Sequence, residues 1–196
     1  MSNLSYDEIK EILQKKLNDK RYFHSLCVAD EAKRLAEKYG ADPEKCYLAG
    51  LVHDVTKNAS DEEHLQIFKT FGIILTDIEK NAKKLWHAMS GSVYLKCFLN
   101  IDDGEIIDAV RYHTTAKADM SLTAKILYLA DFTSKDRDYP DVDVIRNLVN
   151  ISLDDAFIYA LQYSINDLVE TKRAIHPDTV NAFNQIVLFG GNNGSN

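Results

Sequence analysis

Apolar residues recur every three or four positions along most of this chain, and strict apolar–polar alternation is almost absent, which predicts helices rather than strands. Ser5 and Glu8 make a capping-box pattern ahead of the apolar set Ile9, Ile12, Leu13 and Leu17. A second helix is predicted over 21–39 and stops at Gly40. Asp42, Pro43 and Glu44 read as N-cap, first-turn proline and first-turn acid of a third helix, which runs through Leu51 to His53 and Asp54. Ser60 and Glu63 open a short fourth helix. Further helices are predicted over 76–83, 85–99, 103–113, 122–134, 142–149, 153–173 and 177–188. No repeat and no composition break divides the chain. The expectation is one all-α bundle over 1–189, with the helix within 1–19 packed on it and a disordered polar tail at 190–196. The apolar first helix could pack within the chain or against a second copy, which leaves a homodimer open.

Polar residues interrupt the apolar stripes at a few places. His24 lines up with Cys27, Val28, Ala32 and Leu35, while Arg21, Lys33, Arg34, Glu37 and Lys38 fall mostly on the opposite side. His53 and Asp54 follow Ala49 and Gly50, whose small side chains leave room for close approach. His87 lies in the helix predicted over 85–99, and His113 shares a stripe with Ile106 and Val110. Asp131 shares one with Ala124 and Leu127. An isolated carboxylate there is too costly, so it must be paired, hydrogen-bonded or metal-bound; Arg137 is one candidate partner. Any one of these residues alone reads as a hydrogen-bonded core group. Four histidines and two aspartates on five helices read as one convergent site for a divalent metal. His64, among Asp61, Glu62 and Glu63, reads instead as a solvated surface residue, as do Lys117 and Lys135.

Charge and length narrow the function. A net charge of −7 argues against a large nucleic-acid footprint but leaves room for a small phosphorylated ligand with a few local cations. No apolar run approaches the ~20 residues needed to span a bilayer, and the N-terminus shows no signal-peptide pattern, so no membrane partner and a cytoplasmic location are expected. Cys27, Cys46 and Cys97 lie within helical apolar patterns and read as buried, reduced thiols.

His24, the pair His53 and Asp54, and Asp131 match the H…HD…D pattern, and the chain resembles the HD-domain metal-dependent phosphohydrolases. Stretches around Arg21 to Ala29, Ala49 to Lys57, His113 to Thr115, Leu129 to Asp131 with Arg137, and Arg173 to Thr179 resemble the YqeK-like bis(5′-nucleosyl)-tetraphosphatases (symmetrical). The stretches from Trp86 to Ser92 and from Phe132 to Asp136 depart from that pattern.

The resemblance implies that His24, His53, Asp54 and Asp131 hold a divalent metal, iron foremost with Mn, Co or Zn admissible, and leaves the presence of a second ion open. With His87 and His113 these form the implied catalytic set. The implied nucleotide-binding set adds Val55, Thr56, Lys57, Thr114, Arg137, Arg173, Ala174, Ile175, His176, Pro177, Asp178 and Thr179 to His24, Asp54, His87, His113 and Asp131. The implied reaction is symmetric cleavage of a dinucleoside tetraphosphate, such as diadenosine tetraphosphate, to two ADP, with metal-bound water as nucleophile. The ligand set alone equally permits another HD-type nucleotidase or a cyclic-dinucleotide phosphodiesterase, while its being unbroken argues against a non-catalytic binding module.

Overall fold

A computed structural model of the chain describes residues 4–189. These residues form eleven α-helices and one 3₁₀ turn, and no strand. The elements are α1 (Tyr6–Lys16), α2 (Asp19–Tyr39), α3 (Pro43–Val52), α4 (Asp61–Thr70), α5 (Asp77–Asn81), the 3₁₀ turn (Lys83–Leu85), α6 (Trp86–Phe98), α7 (Gly104–Tyr112), α8 (Leu122–Thr133), α9 (Val142–Leu148), α10 (Leu153–Glu170) and α11 (Pro177–Phe189). The expected tail at 190–196 lies outside the described residues.

Local chemistry sets the helix ends. Ser5 with Glu8, Ser60 with Glu63 and Thr76 with Glu79 close reciprocal capping boxes at the starts of α1, α4 and α5. Asp42 caps α3 ahead of Pro43, and Gly40 ends α2 in the left-handed conformation, at φ 76°. The helix expected over 153–173 stops three residues earlier, and Lys172 takes a positive φ in the turn that follows.

The bundle is organised around α2, α3, α7 and α8, which pack on one another and enclose Val28, Ala32, Leu51, Val110 and Leu127. α1 closes one side from within the chain, burying Ile9, Leu13 and Leu17. A smaller apolar cluster of Phe68, Trp86 and Met89 sits apart, beneath α4 and the start of α6. His64 belongs there, contrary to expectation. It is buried, stacks on Phe68 one turn later, and bonds through Nδ1 to Ser90 Oγ at 2.8 Å. Cys97 also departs from expectation and is exposed, while Cys27 and Cys46 are buried free thiols.

Two features of this packing bear directly on stability. A Cβ at Gly50 would stand 2.7 Å from Ala29 Cα and 2.9 Å from Val28 O, backbone atoms that cannot rotate away. α2 and α3 therefore touch main chain to main chain. Gly50→Ala is expected to cost about 1–3 kcal/mol in urea unfolding, and an unchanged midpoint would refute the contact.

Glu79 docks α5. Its carboxylate caps Thr76 and accepts from Arg111 Nη2 at 3.2 Å, and its carbonyl accepts the Trp86 indole at 2.7 Å. Burial opposes its charge, but the Thr76 amide and hydroxyl, Arg111 and His176 outweigh burial and hold it below the ordinary 4.5. A carboxyl with a lowered folded pKa adds stability that is complete above its unfolded value and is lost as pH falls through the folded one. Glu79→Gln is expected to cost about 1–3 kcal/mol at pH 7, with the gap to the wild type closing as the urea titration is repeated below pH 4.5.

Candidate metal centre and nucleotide cavity

His53 and His113 are the C-caps of α3 and α7, and both solve the same problem at a helix end. The last carbonyls of a helix lack intrahelical donors. His53 Nδ1 lies 2.7 Å from Gly50 O, and His113 Nδ1 lies 2.7 Å from Val110 O, three residues back in each case. A carbonyl only accepts, so both rings carry hydrogen on Nδ1 and aim the Nε2 lone pair inward. His24 enters from the first turns of α2, and Asp131 from the last turns of α8. His87 comes from the first turn of α6. The rings of His24, His53, His113 and His87 form a chain of edge-to-face neighbours with centroids 5.0–5.3 Å apart. Five helices thus meet at the point expected from the sequence.

The donor atoms fall into two overlapping groups, His24, His53 and Asp131, and His53, Asp54 and His113, with the atoms of each group within 4.8 Å of one another. His53 is common to both. The second group takes in His113, a residue outside the four-ligand set that the resemblance implies but within the convergent set read from the helical pattern. His24 Nε2 is 2.9 Å from Asp131 Oδ1, His53 Nε2 is 3.3 Å from Asp54 Oδ2, and His53 Nε2 is 4.0 Å from Asp131 Oδ1. Donors at about 2.1 Å from an octahedral ion are roughly 3 Å apart on adjacent corners and roughly 4 Å on opposite ones.

Two buried donor atoms, His53 Nε2 and Asp54 Oδ1, have no hydrogen-bond partner. His87 Nε2 at 3.1 Å and His113 Nε2 at 3.7 Å are close to Asp54 Oδ1 but outside bonding geometry. Orphaned buried donors of this kind, in an imidazole and carboxylate set without thiolate, fit a divalent metal of the Fe, Mn, Co or Zn class.

Cations compensate the carboxylates. Arg21 Nη1 lies 2.8 Å from Asp54 Oδ2, although the helix pattern placed Arg21 on the outer side; its spacing of three from His24 brings it to the site. Arg137 holds Asp131 through its side chain and through Nε to the Asp131 carbonyl at 2.6 Å, so the pairing read from the sequence coexists with the metal geometry. Burial opposes ionisation of Asp54 and Asp131, but the adjoining imidazoles, and Arg137 for Asp131, keep both well below the usual carboxylate range. Lys57 Nζ stands 3.0 Å from His87 Nε2 and 3.9 Å from Asp54 Oδ1, and burial lowers its pKa. Burial likewise brings His87 down to about 4, leaving it neutral at pH 7.

The remaining residues of the expected nucleotide set divide. Val55 and Thr56 are buried, and the Thr56 hydroxyl is engaged by the His87 carbonyl and Ser90. Thr114, Arg173, Ala174, His176 and Thr179 line a cavity of about 680 Å³, together with Phe132 and Tyr163. The buried hydroxyls of Thr114 and Thr115, also on its wall, have no partner. Thr114 and Phe132 directly follow His113 and Asp131, so the cavity abuts the metal centre. Ile175, Pro177 and Asp178 belong to the same turn into α11 but do not line the cavity. The amide of Asp178 already donates to His176 Nδ1 at 3.2 Å, which leaves the start of α11 less open to an anion than its sequence suggests. Arg173 pairs with Asp167 and donates to Thr171. Lys117 pairs with Asp108, and Lys135 projects from the surface; neither enters the site.

Comparison with known proteins agrees with this geometry. The HD domain family matches residues 21–136. The chain is 31% identical over 94% of its length, and 98% of the relative, to the bis(5′-nucleosyl)-tetraphosphatase, symmetrical, of Bacillus subtilis. It is 33% identical over 91% of its length, and 95% of the relative, to the protein of the same name from Halalkalibacterium halodurans. A crystal structure described as a predicted HD superfamily hydrolase involved in NAD metabolism, from Clostridium acetobutylicum, superposes with a TM-score of 0.92 at 34% identity, covering 94% of this chain and 98% of that one. The chain belongs to the HD-domain family, among the relatives of the symmetrical bis(5′-nucleosyl)-tetraphosphatases.

Proposed function

We propose that this protein is a metal-dependent hydrolase that cleaves dinucleoside tetraphosphates, diadenosine tetraphosphate foremost, symmetrically into two ADP. The observation that carries the reading is the meeting of His24, His53, Asp54, His113 and Asp131 beside a cavity of nucleoside size. His24, His53, Asp54 and Asp131 would hold the ion, with His113 as a further donor. Iron is the ion the family resemblance favours, and the donor set also admits Mn, Co and Zn. When bound, the ion supplies Lewis acidity that makes a water molecule nucleophilic near neutral pH.

The chain's own residues explain positioning and charge. Phe132, Tyr163 and the turn at Arg173–Thr179 would hold one nucleoside, and the unpartnered hydroxyls of Thr114 and Thr115 offer it hydrogen bonds. That placement sends the phosphate chain toward His113 and Asp131. Lys57 and Arg137, with 31% and 33% of their side chains exposed, remain accessible to phosphate oxygens and offset the charge that develops on them. His87, neutral at pH 7, serves as a hydrogen-bond partner for phosphate in place of a further cation. Water attacks a phosphorus adjacent to the central bridging oxygen; its oxygen stays on one ADP, and the bridging oxygen leaves with the other. We place the enzyme in the cytoplasm, a reading supported by its free cysteines. Among the described residues no helix is long and apolar enough to cross a membrane.

Protein loaded anaerobically with iron is expected to convert diadenosine tetraphosphate to ADP as sole nucleotide product. Chelation should stop turnover, and His53→Ala should abolish it. Exclusive release of ATP and AMP contradicts symmetric attack. A clear preference for mononucleotides or cyclic dinucleotides in the same screen replaces this reading, and tight ADP retention without turnover under any metal makes the protein a binding module. Lys57→Ala is expected to lower kcat by about 10²-fold while metal content stays at the wild-type level; an unchanged kcat removes Lys57 from the phosphate contacts.

A further inference from the structure

His24 differs from the other two convergent imidazoles in what lies behind it. His53 and His113 stand at helix ends, where an unclaimed carbonyl three residues back fixes the ring. His24 stands inside α2, where the preceding carbonyls serve the helix itself. Its outer nitrogen needs an acceptor from elsewhere in the chain. Asp136 supplies one, with Oδ2 2.8 Å from His24 Nδ1.

Asp136 belongs to the short link after α8 and is held from two sides. Its other oxygen, Oδ1, accepts from Ser134 Oγ at 2.8 Å. Arg146, from α9, gathers the link by donating Nε to the Thr133 carbonyl at 3.2 Å and Nη2 to the carbonyls of Ser134 and Arg137, each at 2.9 Å. One guanidinium thus fixes the backbone on both sides of Asp136. Burial opposes the charge on Asp136, but the Ser134 hydroxyl and His24 outweigh it and keep the carboxyl below its ordinary value. The neighbouring Cys27 thiol, pushed up to about 11 chiefly by burial, stays neutral beside it.

We propose that Asp136 is a positioning residue for the metal centre: its carboxylate takes the Nδ1 hydrogen of His24 and so commits Nε2, 2.9 Å from Asp131 Oδ1, to the ion. Both ring nitrogens of His24 face a carboxylate, Nδ1 that of Asp136 and Nε2 that of Asp131, but Nε2 also lies 3.4 Å from Arg137 Nη2, which only donates, so the hydrogen of a neutral ring sits on Nδ1. Partners of this kind orient a ligating imidazole and raise its basicity, and their loss weakens metal affinity by about 10–100-fold. Asp136 stands outside both groups of convergent donor atoms and reaches them through His24.

The inference rests on the metal reading of the site, and the test separates the two. Zinc affinity is measured by chelator competition on the full-length wild type, Asp136→Ala and Asp136→Asn, with circular dichroism confirming the fold. Asp136→Ala is expected to raise the zinc dissociation constant by about 10–100-fold, and Asp136→Asn, which retains an acceptor oxygen, by less. In the zinc-loaded protein, the slowly exchanging N–H resonance assigned to His24 Nδ1, apart from those of His53 and His113, should be present in the wild type, lost in Asp136→Ala and restored in Asp136→Asn. Wild-type affinity in Asp136→Ala, or a His24 Nδ1–H resonance that persists in it, overturns the role of Asp136 and leaves the hydrolase reading standing. Failure of the wild type to take up zinc, iron or manganese overturns both. If Asp136→Ala does not fold, Ser134→Ala takes its place, with a smaller loss of zinc affinity expected and an unchanged affinity counting against the proposal.

Discussion

An imidazole hydrogen bonded to a carbonyl of its own helix is the interaction on which the site depends. At the ends of α3 and α7 the backbone has acceptors without donors, and His53 and His113 satisfy them at 2.7 Å. The same bond that finishes the helix selects the tautomer and turns Nε2 toward the centre of the bundle. Fold and site are therefore coupled locally: the cap cannot be altered without changing where the lone pair points. The close approach of α2 and α3 at Gly50 then fixes how far His24 can be from His53.

Charge is managed by pairing inside an acidic protein. A buried carboxylate and a half-buried one would be costly alone. Arg21 and Arg137 each bind one, while Lys57 borders Asp54 and His87. The chain's net charge of −7 therefore says little about the site, where cations adjoin each aspartate. The dinucleotide proposed as substrate would meet these local cations, and the cavity beside Thr114 carries two unpartnered threonine hydroxyls.

Much of this was legible in the chain because helical periodicity reports which side faces in, and a polar residue on that side stands out. His24, His53, Asp54, His87, His113 and Asp131 all came from that contrast. Reading failed where one helix face carries two kinds of residue. The helical pattern sets Arg21 among surface cations, although three positions separate it from His24. The acidic sequence neighbours of His64 suggest a surface position, whereas Phe68, one turn away on the same face, gives its true surroundings. Cys97 lies two positions from both Leu95 and Leu99, about 200° around the helix from either, and so faces water. Asp136 was out of reach for another reason: its place is set by a link that Arg146, ten residues later, folds back, and no local period records such a bond.

The small apolar cluster under α4 has a consequence for how the molecule can diverge. His24, His53 and Asp131 are rooted in helices of the principal core, whereas His87 is the second residue of a helix whose first, Trp86, anchors in the separate patch with Phe68 and Met89. Substitutions in that patch can retune one wall of the reaction chamber while the ion cage keeps its footing. Inheritance of the cage and drift of the wall are thus mechanically separable within a single bundle.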